Sequence, residues 1–140
     1  MENISLYKRS ARRAVLHLWS LFVISFLAIK LKLYDIFWWF DRPMHFYGGY
    51  VSALLIIALL FKAKISFSSK KFSVILFIGV FLVGVAWELF ELFVENNTGA
   101  DLVSMRDSIE DLIFDMSGSI LAYYFYFIDQ KEEKKISKIS

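Results

Sequence analysis

The chain has 140 residues, 58% of them hydrophobic and 19% aromatic, with one Pro, no Cys and a formal net charge of +2. That length suits one domain, but the apolar share exceeds what soluble domains carry. The small charge leaves no basic footprint for a nucleic acid, and the lack of Cys excludes disulfides and thiolate metal sites.

In chain order, the basic stretch KRSARR (8–13) precedes an apolar run from Val15 towards Leu33. No small-residue cleavage site interrupts it, so it reads as a first membrane span, about 14–33, and not as a cleaved leader. Lys30 and Lys32 can snorkel from its end. FWWF (37–40), with Tyr34, has the composition of an interfacial aromatic belt. A second span is expected over 42–61, with Asp41 as its cap and Pro43 tolerated in its first turn. A third covers 72–94 and contains WELFELFVE (87–95); a fourth covers 106–128. Residues 129–140 read as a flexible cytoplasmic tail. The fold expected is all-α: one integral membrane domain over 1–140, a four-helix transmembrane bundle.

Charge asymmetry orients it. Lys8, Arg9, Arg12 and Arg13 precede the first span. Lys62, Lys64, Lys70 and Lys71 join the second to the third, and Lys131, Lys134, Lys135 and Lys138 follow the fourth. The opposite side holds only Lys30, Lys32, Arg42 and Arg106. The positive-inside rule then places both termini in the cytoplasm.

With that topology three helices bring acids to one depth, in the outer half of the bilayer. Asp41 and His45 open the second span. Glu88, Glu91 and Glu95 close the third, and Asp107, Glu110, Asp111 and Asp115 open the fourth. At about 100° per residue, Glu88, Glu91 and Glu95 fall within an arc of roughly 60°. Asp107, Asp111 and Asp115 follow one another at i, i+4, i+8, and Gly118 continues their stripe. Glu110 lies to one side. The other glycines, Gly48, Gly49, Gly79 and Gly84, permit close helix packing. His17 belongs to the opposite end.

A buried acid in a span costs on the order of 2.5 kcal/mol or more. Like carboxylates brought together cannot all stay ionised without a counter-charge, and Arg42 and Arg106 are the only nearby cations. The residue types favour metal. Asp-x-x-x-His, Glu-x-x-Glu and Asp-x-x-x-Asp each put two ligands on one helix face, as in di-metal carboxylate bundles. The expected ligand set is Asp41, His45, Glu88, Glu91, Asp111 and Asp115. Oxygen donors with one imidazole suit Zn, Mn, Fe or Mg.

DRPMHFYGGY (41–50), WELFELFVE (87–95) and the D-x-x-x-D ahead of MSGS (111–119) resemble the YjdF-like inner-membrane proteins and, more distantly, the VanZ-like family. The resemblance covers about 41–120 and implies a small multi-span protein of the bacterial cytoplasmic membrane, in an envelope context. The function expected from the acids is metal-dependent hydrolysis of a lipid or envelope head group, with Glu91 or Asp115 as general base. Two alternatives share the site. One is a proton- or cation-coupled transporter, for which the apolar inner halves offer no continuing path unless an oligomer supplies it. The other is a module that binds a cation or partner without chemistry.

Overall fold

Apolar runs this long, with Pro confined to position 43, leave the α-helix as the structure that satisfies its own backbone in lipid. The computed structural model describes residues 2–63, 69–98 and 104–136, and among them every regular element is helical. The elements are α1 (Glu2–Lys30), α2 (Leu33–Ile36), α3 (Asp41–Lys62), α4 (Ser69–Thr98) and α5 (Met105–Ile136). Lys64 and Lys138, used above for the charge asymmetry, lie outside the described residues.

Three helices are long and apolar enough to cross a membrane: Tyr7–Lys30, Asp41–Lys62 and Lys70–Thr98. The expected fourth span, 106–128, is not among them. Asp111 and Asp115, with several Ser and Tyr residues behind them, dilute its apolar character. Instead α5 is the closest partner of α3, and these two form the centre of the molecule. α1 packs mainly on α3, while α4 rests on both α3 and α5.

Between helices in lipid the hydrophobic effect supplies little attraction, so association depends on how closely backbones approach. Gly49 and Gly118 set that distance for α3 and α5. A Cβ on Gly49 would overlap the backbone carbonyl of Asp115, and one on Gly118 would overlap that of Phe46. Gly79 plays a milder part between α4 and α3, where a Cβ would stand 2.9 Å from Ile56 Cδ1. Beyond the glycine crossing, Ala53, Leu54 and Ile57 of α3 pack with Leu76 and Val80 of α4 and Ala122 of α5. The outward faces of α1 and α4 leave large apolar side chains uncovered, among them Trp19, Phe22, Leu82 and Phe93, as lipid-facing surfaces do.

Two local expectations change. Asp41 was expected to cap its helix, but the cap position belongs to Phe40, which makes no side-chain cap bond. Asp41 is the first helical residue, and its carboxylate turns along the helix to His45 instead of back to free amides. Residues 129–140 were expected to form a flexible tail, but α5 continues to Ile136; residues 137–140 lie outside the described residues. The helix holds because Asp129 is buried and accepts from Arg9 Nη1 at 3.2 Å and from Arg13. The basic stretch before the first span therefore ties α1 to α5. Between α1 and α3, Lys32 takes the left-handed conformation (φ 54°). It ends α1 and turns the chain into α2; after α2, Trp38 of the aromatic stretch is left 80% exposed.

Candidate functional site

His45 is the centre of the polar cluster. It stands one turn into α3 with 6% of its surface exposed, and acids from α3, α4 and α5 surround it. Nε2 lies 3.7 Å from Asp41 Oδ2 and 3.9 Å from Asp111 Oδ2. Nδ1 lies 3.5 Å from Asp115 Oδ2. Asp41, His45 and Asp111 each turn one ligand atom into a space where all lie within 4.8 Å of one another. His45, Glu88 and Glu91 form a second such group, which shares the imidazole. The expected ligands on three helices thus converge on one side chain. Asp115 differs: it falls in neither group and backs the imidazole from the Nδ1 side.

Each acid arrives by helix geometry. Asp41 and His45 are i, i+4 on α3; Asp111 and Asp115 are i, i+4 on α5; Glu88 and Glu91 are i, i+3 on α4. Gly84 makes room for the Asp115 carboxylate. A Cβ on Gly84 would stand 2.7 Å from Asp115 Oδ2, whereas one on Gly48 would stand at an ordinary 3.7 Å from Oδ1. Gly84 therefore shapes the site as well as the packing.

Glu88 is 7% exposed and Asp111 3% exposed. Glu88 Oε1 and Asp111 Oδ1 are buried without a hydrogen-bond partner. Leaving a charged oxygen so placed costs more than a lost neutral hydrogen bond, which is already about 1–3 kcal/mol. Arg42 and Arg106 both donate to Glu110, and neither donates to these two oxygens. Four-coordinate and six-coordinate metals hold ligands at about 2.0–2.2 Å, which spaces ligand atoms roughly 3.0–3.5 Å apart. The His45–Asp41 and His45–Asp111 separations exceed that by a few tenths of an ångström, within reach of a small side-chain adjustment. The donor set fits a divalent ion.

Three groups at the site escaped the reading of the sequence. Trp87, on the lipid-facing side of α4, donates from Nε1 to Glu91 Oε1 at 2.8 Å. It steadies the half-buried Glu91 at the edge of the cluster. Tyr34, expected only as part of the aromatic belt, packs edge-on against Phe40. Burial, with the nearby charges of Asp41 and Glu91, pushes its phenol up to about 12, so it remains a neutral O–H donor at ordinary pH. Glu110, expected to one side, joins α3 to α5 by binding Arg42. The i, i+4 spacing of Trp87 and Glu91 is a signal within one helix that could have found that bond. Tyr34 and the Arg42–Glu110 pair depend on residues from other elements, which no single helix announces. His17 stays apart, with Nδ1 2.9 Å from Tyr47 Oη.

Among curated proteins and among solved structures nothing matches this chain. A family model described as "Predicted membrane protein (DUF2238)" matches residues 4–132, which takes in all the helices that build the cluster. The chain belongs to the DUF2238 family of predicted membrane proteins.

Proposed function

We propose that this is a metal-dependent membrane enzyme that hydrolyses a lipid or envelope head group at the His45 cluster. All four long helices cross the bilayer in this reading, with both termini in the cytoplasm of a bacterial cell and the cluster in the outer half of the membrane. The observation that carries it is the convergence of acids from three helices on one buried imidazole, where two of those acids keep a carboxylate oxygen, Glu88 Oε1 and Asp111 Oδ1, buried without a hydrogen-bond partner. The motifs that resemble those of YjdF-like proteins fall on the same residues and support this reading of the site.

Asp41, His45 and Asp111 are the first ligand group, and Glu88 with Glu91 the second, for Zn, Mn, Fe or Mg. Bound there, the ion would supply an activated water and a Lewis acid for the oxygen of the substrate. Asp115 orients His45 through Nδ1, as the carboxylate behind a ligating histidine does. Glu91 serves as general base. It is the least buried of the three α4 and α5 acids in the two ligand groups, and among the described residues its hydrogen bond is to Trp87. Tyr34 offers a proton at the rim.

A relay across the membrane finds less support. Beyond the cluster the buried core is Ala14, Ala53, Leu54, Ile57, Leu76, Val80 and Ala122, with Tyr50, Tyr123 and Tyr126 packed against it but no charged side chain among these residues. The buried Ser119 spends its hydroxyl on the Met116 carbonyl. In this reading the site is one-sided.

The test is head-group release from a panel of phospholipids by the purified protein, with and without added divalent ions. Wild type is expected to release product only with metal, and Glu91→Gln to lose about 10²–10⁴-fold in rate. Metal-independent release would count against the metal, and release from no lipid would count against hydrolysis and leave a binding module.

A further inference from the structure

Arg42 and Arg106 take no part in the chemistry above, yet both are held at the mouth of the cluster. Arg42 donates from Nε at 3.1 Å and from Nη2 to Glu110 Oε2. Arg106 donates from Nε at 3.0 Å to Oε1 of the same carboxylate. One glutamate thus gathers two guanidiniums and leaves Arg42 Nη1 and both Nη groups of Arg106 unused by it. Arg42 also lies over the Trp38 ring, 5.0 Å from its centroid, a cation–π contact that limits its freedom. Arg42 follows Asp41 and Glu110 precedes Asp111, so this bridge stands one residue from two ligands of the cluster. Each arginine is the second residue of its helix, where the helix dipole also favours an anion.

Two preorganised guanidiniums match the geometry of phosphate oxygens, which arginine binds through paired N–H groups. The exposed Trp38 under Arg42, with Trp39 next in sequence, has the character of a lipid–water boundary, where a phospholipid presents its phosphate. We propose that Arg42 and Arg106 receive the phosphate of a phospholipid head group and hold it against the His45 cluster. Its place in catalysis rests on the metal reading, in which a bound cation would offset the repulsion of the carboxylates; the arginine contacts themselves do not require the metal.

Detergent-purified protein is titrated with dioleoylphosphatidylglycerol, with phosphate-free dioleoylglycerol and with soluble glycerol 3-phosphate, and bound ligand is read by native mass spectrometry. The phospholipid is expected to bind in preference to the other two. Arg106→Gln should weaken it about tenfold, the worth of a lost charged hydrogen bond, and Arg106→Lys should restore part of it. Arg106 is 89% exposed, so its replacement leaves the fold intact; Arg42→Gln is the second variant. Equal phospholipid binding by wild type and both glutamine variants would overturn the proposal. Equal binding of dioleoylglycerol would overturn the role of phosphate, and tighter binding of glycerol 3-phosphate would overturn the lipid as its source. Metal content measured on the same samples separates the two readings. Arginine-dependent phospholipid binding by a metal-free wild type would sink the metal and leave the arginine site standing.

Discussion

Alanine at Gly118 is expected to unfold the protein or leave it too unstable to purify as a single species. The Cβ has nowhere to go: it overlaps the Phe46 carbonyl and comes within 2.8 Å of the Tyr50 amide, both backbone atoms of α3. A flexible side chain can swing away from such a clash, but a helix backbone must move as a body, and α3 packs against α1, α4 and α5. Overpacking costs typically 1–3 kcal/mol and more where backbone is hit, so about 3 kcal/mol or above is expected here. The intrinsic preference of a helix for Ala over Gly works in the opposite direction by about 1 kcal/mol, too little to compensate. Gly48→Ala is the control, because a Cβ there meets only Asp115 Oδ1 at an ordinary 3.7 Å. Thermal unfolding in detergent should place Gly48→Ala near wild type and Gly118→Ala far below. A Gly118→Ala protein as stable as wild type would mean that α3 and α5 do not cross this closely.

Replacing His45 has the largest effect expected at the site. Its imidazole belongs to both ligand groups, so His45→Ala removes a donor from each and leaves Asp41, Glu88, Asp111 and Asp115 facing one another. Bound metal should be lost. With it should go the stabilisation that a ligand confers on the folded state, about 2.7 kcal/mol at a hundredfold excess over its dissociation constant. Asp115→Asn should act more gently. It keeps the shape between Gly48 and Gly84 but removes the charge behind Nδ1, and such changes weaken metal affinity about 10- to 100-fold. Competition titration against a chelating dye resolves the two. Loss in His45→Ala with unchanged affinity in Asp115→Asn would show that Asp115 only packs.

The juxtaposition of these residues was legible because two periodicities agree in the sequence. Spacing of three or four residues puts Asp41 with His45, Glu88 with Glu91 and Asp111 with Asp115 on single helix faces. The positions of those pairs within apolar runs put them at one depth. What a single helix cannot reveal is which atom faces which. Asp115 looked equivalent to Asp111, yet the angle at which α5 crosses α3 at Gly49 and Gly118 sends one to Nε2 and the other to Nδ1. The Arg42–Glu110 and Arg13–Asp129 pairs were hidden for the same reason, since each joins residues from different helices. The boundaries of the helices in the spans were read closely in the middle of the chain and poorly at its ends. There charged residues at 2–13 and 129–136 look solvated in sequence, but Arg9, Arg13 and Asp129 satisfy one another and let both helices run on.

The central claim is that a divalent ion neutralises the acids around His45, and elemental analysis of the detergent-purified protein tests it most directly. Wild type is expected to carry divalent metal, and Asp111→Asn, purified alongside, to carry much less while remaining folded. A folded wild type without metal after growth and purification in its presence would contradict the claim.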